Sequence, residues 1–237
     1  MISRALLGVP ALATAVAFVA VAAVLTAVRP LVVDRSGNTR LPTSTERDRL
    51  TSGVDGTHRV CLRIMERSRD AASAQARALG ILPGYRYAFA ADQLLASIST
   101  AAGRAVIAHE VGHHRGWHPL LRVVLPAVAL IGWPLAIASD VPYALVGGAV
   151  ALVPYVLLVC YIERQTEYRA DAYAGEQVGY SAMREALKYL QATNPDKQQC
   201  RLVGSLATRP SLEDRIAHLN DLAGDENEDN TESQEPE

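Results

Sequence analysis

The stretch that decides the fold opens with His109-Glu110-Val111-Gly112-His113. It runs on through an uncharged block, 123–162, broken only by Ser139-Asp140-Val141-Pro142, and reaches Glu167-Tyr168-Arg169-Ala170-Asp171. On a helix, residues four apart share a face, so His109 and His113 can aim two imidazole nitrogens at one ion. Zn²⁺ accepts neutral imidazole at about 2.0–2.1 Å in a tetrahedral shell. Glu110, one residue round the helix, stands beside such an ion and not on it. There a carboxylate can take a proton from activated water and return it to a leaving amine.

Two imidazoles and a water still need a third protein ligand. A histidine ten residues after the first would supply one arrangement, but that position is Pro119, and His118 falls one residue early. Glu167 is the better candidate, with Glu163, one turn earlier, as its rival. Glu167 and Asp171 are again four apart. Glu167 can therefore ligate while Asp171 accepts the outer N–H of a ligand histidine, His109 first, and fixes its tautomer. His114 and His118 read as polar residues at a helix end, and His58 and His218 have no partner motif.

Outside this block the chain is strongly segregated. Residues 5–28 are 24 positions without a charge. As a helix they would span about 36 Å, more than the roughly 30 Å hydrocarbon core of a bilayer. That reads as a retained N-terminal transmembrane anchor (1–28). The segments 123–139 and 143–162 read as a membrane hairpin, the alternative being a pair of buried core helices. Positive residues flank the segments consistently: Arg29, Arg35 and Arg40 after the first, Arg115 and Arg122 before the hairpin, Arg164 and Arg169 after it, none in its turn. This predicts the N-terminus and hairpin turn outside, and residues 29–122 and the C-terminal region inside. Both halves of the metal motif then fall on one face.

The whole chain has 237 residues, 49% of them hydrophobic, and a formal charge of -2. That apolar content excludes a disordered chain, and the charge argues against a nucleic-acid binder. The tail from Asp225 carries seven acids and no base, so the remaining 18 acids face 23 bases and the body is about +5. Cys61, Cys160 and Cys200 are too scattered for a disulfide scaffold or a zinc ribbon. Residues 29–57 read as a linker, 58–222 as the domain that carries the metal motifs, and 223–237 as an acidic disordered tail. Helices are expected near 58–79, 100–115, 158–178, 181–192 and 211–223, the last capped by Ser211 with Asp214 three residues on. The one convincing strand is 85–90.

The paired motifs, together with Ala170-Asp171-Ala172, resemble the HtpX and CAAX prenyl protease family of membrane zinc metallopeptidases over about residues 85–222. Relatives carry Thr-His-Pro before a helix with Arg-Ile. Here the segment reads Thr208-Arg209-Pro210, followed by Arg215-Ile216, so Arg209 stands in place of the histidine. The resemblance implies a mainly α, gluzincin-like peptidase with a small β edge and a transmembrane hairpin between its two zinc-binding helices. It implies one Zn²⁺ per chain on His109, His113 and Glu167, with Glu110 as general base and Asp171 behind a ligand. It further implies a multi-pass protein of the cell membrane, with its site facing the cytoplasm and acting on membrane or misfolded proteins. Its partners are then a protein or peptide substrate and the lipid bilayer, with no nucleic acid. Arg209 or Arg215 is a candidate to steady the oxyanion, and the strand near 85–90 a candidate to pair with extended substrate. Two other readings are a signalling peptidase resembling the BlaR/MecR sensors and a non-catalytic metal-binding membrane scaffold.

Overall fold

The computed structural model describes residues 4–35, 38–66, 76–193 and 209–232; Cys200, Thr208 and residues 233–237 lie outside them. In chain order the elements are α1 (Arg4–Arg35), β1 (Thr39–Arg40), α2 (Ser44–Thr51), a 3₁₀ turn (Thr57–Arg59), β2 (Cys61–Met65), β3 (Ala76–Leu79), β4 (Tyr87–Ala91), α3 (Asp92–Ser97), α4 (Thr100–Arg115), α5 (His118–Ala138), α6 (Ala144–Val178), α7 (Tyr180–Thr193) and α8 (Leu212–Glu232). The protein is mainly helical with one small sheet.

Helices α1, α5 and α6 are each long and apolar enough to cross a membrane. None of the most apolar stretch of α1 or α5 is buried within the chain, and only 6% of that of α6. Buried core helices would hide that surface, so burial within the chain does not account for their composition. Helix α1 packs along α5. The α5–α6 pair runs antiparallel, stitched by Tyr155 Oη donating to the Leu125 carbonyl (2.5 Å), Trp133 Nε1 to the Ala144 carbonyl (3.0 Å) and Arg122 Nε to Glu163 Oε2 (3.1 Å). Residues 143–162 and 158–178, two overlapping segments by sequence, form the single 35-residue α6. The apolar limb and the polar end that carries Glu167 and Asp171 are therefore one rigid rod.

Three sequence expectations need correction. Residues 29–57 are not an unstructured linker. Helix α1 continues to Arg35, β1 follows, and α2 opens with a full capping box in which Glu46 N donates to Thr43 Oγ1 (3.2 Å) and Thr43 N to Glu46 Oε2 (2.8 Å). The polar residues that suggested a linker are caps, and Leu50 buries the helix against the core. Residues 58–79 are not a helix: their described parts form the 3₁₀ turn, β2 and β3. Leu62 and Ile64 are buried while Cys61, Arg63 and Met65 are half-buried, a period of two. Arg and Met are good helix formers, and pairing with β4 overrides them. The acidic tail is not wholly irregular either, since α8 passes Ala223 and ends at Glu232. Its start is as expected, Asp214 N donating to Ser211 Oγ at 3.0 Å.

Among the described residues four strands thus replace the one expected, in the order β1-β2-β4-β3. All five residues of β4 are buried, between parallel β2 and antiparallel β3. Arg63 Nε holds Asp34 at 2.5 Å, tying the end of α1 to the sheet. Helix α4 lies across the sheet. Ile107 and Val111 pack on Leu62, Ala88 and Ala90, while Ala105 and Ala108 meet Ala174, Met183, Leu187 and Leu219 of α6, α7 and α8. A helix covered on both sides is a stable mount for a site.

Candidate metal centre

Helix α4 begins where expected, with Ala102 N donating to Ser99 Oγ at 3.1 Å. Its approach to α6 is set by small residues. A Cβ on Gly112 would stand 3.2 Å from Tyr173 Cδ1 and 3.3 Å from Ala170 Cα. Glycine here lets the two helices close, which carries Glu167 up to the histidines. His109 Nε2 lies 3.7 Å from Glu167 Oε2, and His113 Nε2 lies 3.7 Å from Glu167 Oε1. One ligand atom from each of the three residues falls within 4.8 Å of the others, and all three residues are buried.

The donor set fits a zinc ion. Tetrahedral ligand atoms about 2.0–2.1 Å from one Zn²⁺ are roughly 3.3 Å apart. Separations of 3.7 Å are near that value and too long for hydrogen bonds, so these atoms are grouped without satisfying one another. Glu163, the rival ligand, is instead held by Arg122 and does not belong to the group. Glu110 is buried beside it and feels the charges of His109, Glu167 and Arg209; burial pushes its pKa up to about 6. Burial also pushes His113 well below the usual imidazole range, and a neutral imidazole is the ligating form.

Asp171 stands behind His109. Its Oδ1 is 2.9 Å from His109 Nδ1, yet Nδ1 makes no hydrogen bond of normal geometry, so the contact is close but off the N–H axis. Arg215 grips the same carboxylate as a fork, Nε donating to Oδ2 at 2.7 Å and Nη2 to Oδ1 at 2.6 Å. That carboxylate holds the Arg215 guanidinium charged against the pull of burial. Three guanidiniums also reach Glu167: Arg122 at 3.4 Å, Arg209 at 3.5 Å and Arg215 at 3.5 Å. Of the two oxyanion candidates, Arg209 is 64% exposed and Arg215 is enclosed with its fork engaged.

Of the two helix-end histidines set aside by sequence, His118 joins this assembly and His114 braces the helix that carries it. His118 is buried, and its Nδ1 is 2.6 Å from His113 Nδ1. The turn between α4 and α5 folds it back. Trp117 takes a left-handed φ of 56°, and a Cβ on Gly116 would stand 2.2 Å from His118 Nε2. The Gly-Trp pair ending α4 was the available signal for that reversal. His114 is also buried, its Nε2 3.0 Å from the Tyr87 carbonyl, which pins α4 to β4. His58 and His218 do not join the group. The strand offered for substrate pairing is corrected as well: both edges of β4 are taken, and the sheet ends at β3.

Comparison with known proteins accords with this architecture. The crystal structure of S. mikatae Ste24p is similar, with a TM-score of 0.62 at 18% identity over 85% of this chain and 56% of that one. At that identity the likeness is one of fold, and this chain spans little more than half the length of that structure. No curated protein matches the chain. The model described as Peptidase family M48 matches residues 55–223, which takes in β2, β3 and β4, both motif helices and the start of α8. The chain therefore belongs to peptidase family M48, in keeping with the resemblance of its paired motifs to HtpX and the CAAX prenyl proteases.

Proposed function

We propose that this chain is a zinc-dependent membrane endopeptidase in which His109, His113 and Glu167 hold the metal and Glu110 moves the proton. The observation that carries the reading is the buried group of two Nε2 atoms and one carboxylate, with the Glu110 carboxylate beside it. Zn²⁺ bound there supplies Lewis acidity to the attacking water and the scissile carbonyl. Glu110 accepts the water's proton on a carboxylate oxygen and passes it to the leaving amine; its raised pKa suits a group that must both take and give a proton near neutrality. Asp171 orients His109, and Arg215 positions Asp171. Arg209, exposed at the mouth, is the better placed of the two arginines to meet the oxyanion. An extended substrate would add along the β3 edge.

In this reading α5 and α6 cross the bilayer as a hairpin, α1 anchors the chain beside them, and the arginines at the base of the hairpin put the site on the cytoplasmic side. Membrane or misfolded proteins are the substrates that such a placement favours. The test is metal analysis of the purified chain together with casein cleavage. Wild type should hold about one zinc per chain, lose cleavage with 1,10-phenanthroline and regain it with Zn²⁺. Glu167→Ala should lose most of the metal. Full zinc retention in that variant would remove Glu167 from the ligand set.

A second expectation concerns His118. If His113 ligates through Nε2, its proton sits on Nδ1, and His118 Nδ1 must accept it. His118→Phe fills the same space without an acceptor and should weaken zinc affinity by about 10–100-fold. His118→Asn, which offers an amide oxygen at nearly the same place, should stay within a few-fold of wild type. Competitive chelator titration measures both, and circular dichroism of the metal-free variants checks that the fold is kept. Equal affinities for the two variants would reduce His118 to a packing residue.

A further inference from the structure

A cavity of about 400 Å³ opens where the α4–α5 turn meets α6. Its lining has two characters. Leu121, Tyr161 and Ile162 lie where the apolar limbs of α5 and α6 end, while Arg115, Gln165 and Arg169 lie just beyond. Among the described residues, neither Arg115 nor Arg169 has a carboxylate partner, in contrast to Arg40, Arg63, Arg122 and Arg215, which all do. Arg115 rests over the Tyr173 ring at 5.4 Å, so it is held by an uncharged aromatic partner and its charge is not neutralised by a carboxylate. Two exposed aromatics, Trp117 and Tyr161, sit at the same junction, where amphipathic rings mark a membrane–water boundary.

We infer that this cavity is a binding site for the phosphate headgroup of an anionic phospholipid. Arg115 and Arg169 take the phosphate, and an acyl chain follows Tyr161 and Ile162 into the bilayer. Guanidiniums without a carboxylate partner offer forks that match phosphate oxygens. The apolar half of the lining has no use for a free anion but suits a chain attached to one. A zwitterionic lipid would set its own cation against the arginines, so a net negative headgroup is the better match. The inference rests on reading α5 and α6 as membrane-spanning, which has its own check: the chain should leave membranes only with detergent, whatever lipid it binds.

The test uses the full chain, purified in detergent and stripped of lipid, then titrated with phosphatidylglycerol or phosphatidylcholine of the same acyl composition and read by native mass spectrometry. Phosphatidylglycerol should bind at least about tenfold more tightly. The double variant Arg115→Gln/Arg169→Gln should bring it to the level of phosphatidylcholine. Arg164→Gln, on the same helix but outside the cavity, should leave the preference intact. Equal binding of the two lipids, or an equal loss with Arg164→Gln, would overturn the site in favour of general attraction at the interface. Displacement of the lipid by inorganic phosphate or by a short acidic peptide at equal concentration would assign the cavity to a soluble anion and overturn the lipid.

Discussion

Glu110→Gln should leave the zinc content of the protein unchanged and lower kcat on a protein substrate by about 10²–10⁴-fold, the range that general acid–base groups contribute. Glutamine has nearly the shape of glutamate and cannot accept the proton. Glu110 is outside the ligand group, so the variant separates metal binding from proton transfer. A second readout guards against a damaged fold. Burial that lifts the Glu110 pKa to about 6 means that its ionised form is less favourable folded than exposed. In the metal-free protein near neutral pH, replacing it with a neutral amide should therefore not lower Tm. Metal content, Tm and initial cleavage rate are measured on the same preparation. A variant that keeps more than about a tenth of the wild-type rate would place the base elsewhere.

What could be read from the chain itself followed from the range of the interaction involved. Helix α4 was legible to its ends, because the Ser99 cap, the Gly116 stop and the four-residue spacing of His109 and His113 are all local. The apolar helices were legible because an uncharged run of that length has few other uses. The sheet was not. Cys61 of β2 pairs with Tyr87 of β4, so the partner that makes it a strand lies far along the chain, while its own five residues include good helix formers. His118 reads as a mere helix-end residue when helix periodicity is carried past the end of the helix. Its contact with His113 depends on the left-handed Trp117, which no periodicity displays. Sequence leaves Arg215 beside Arg209 as an oxyanion candidate because its partner Asp171 is 44 positions away. Composition marks it as a cation, and only the packing of α8 on α6 shows which carboxylate absorbs the charge.

That pair carries the other large effect. Arg215→Met should destabilise the protein by about 3–5 kcal/mol, since it leaves Asp171 charged and buried without its fork. Asp171 is 0% exposed, and its one other close polar neighbour among the bonds described is His109 Nδ1, off axis at 2.9 Å. Arg215→Lys keeps a charge but loses the two-pronged match and should fall between. The informative variant is the double one, Asp171→Leu/Arg215→Met. With no ion left to strand, it should recover much of the stability lost in the single variant, as apolar replacements of buried pairs often do. Zinc affinity should not recover with it. His109 then has no acceptor for its Nδ1 proton, and loss of such a partner typically weakens a metal site by about 10–100-fold. Thermal melts of the metal-free variants and chelator competition on the same set would thus part the two roles. If stability and affinity recover together in the double variant, the Asp171–Arg215 pair is only a packing feature. If stability recovers alone, Arg215 acts on the metal through Asp171, and the buried pair is kept for the orientation of His109 and not for the fold.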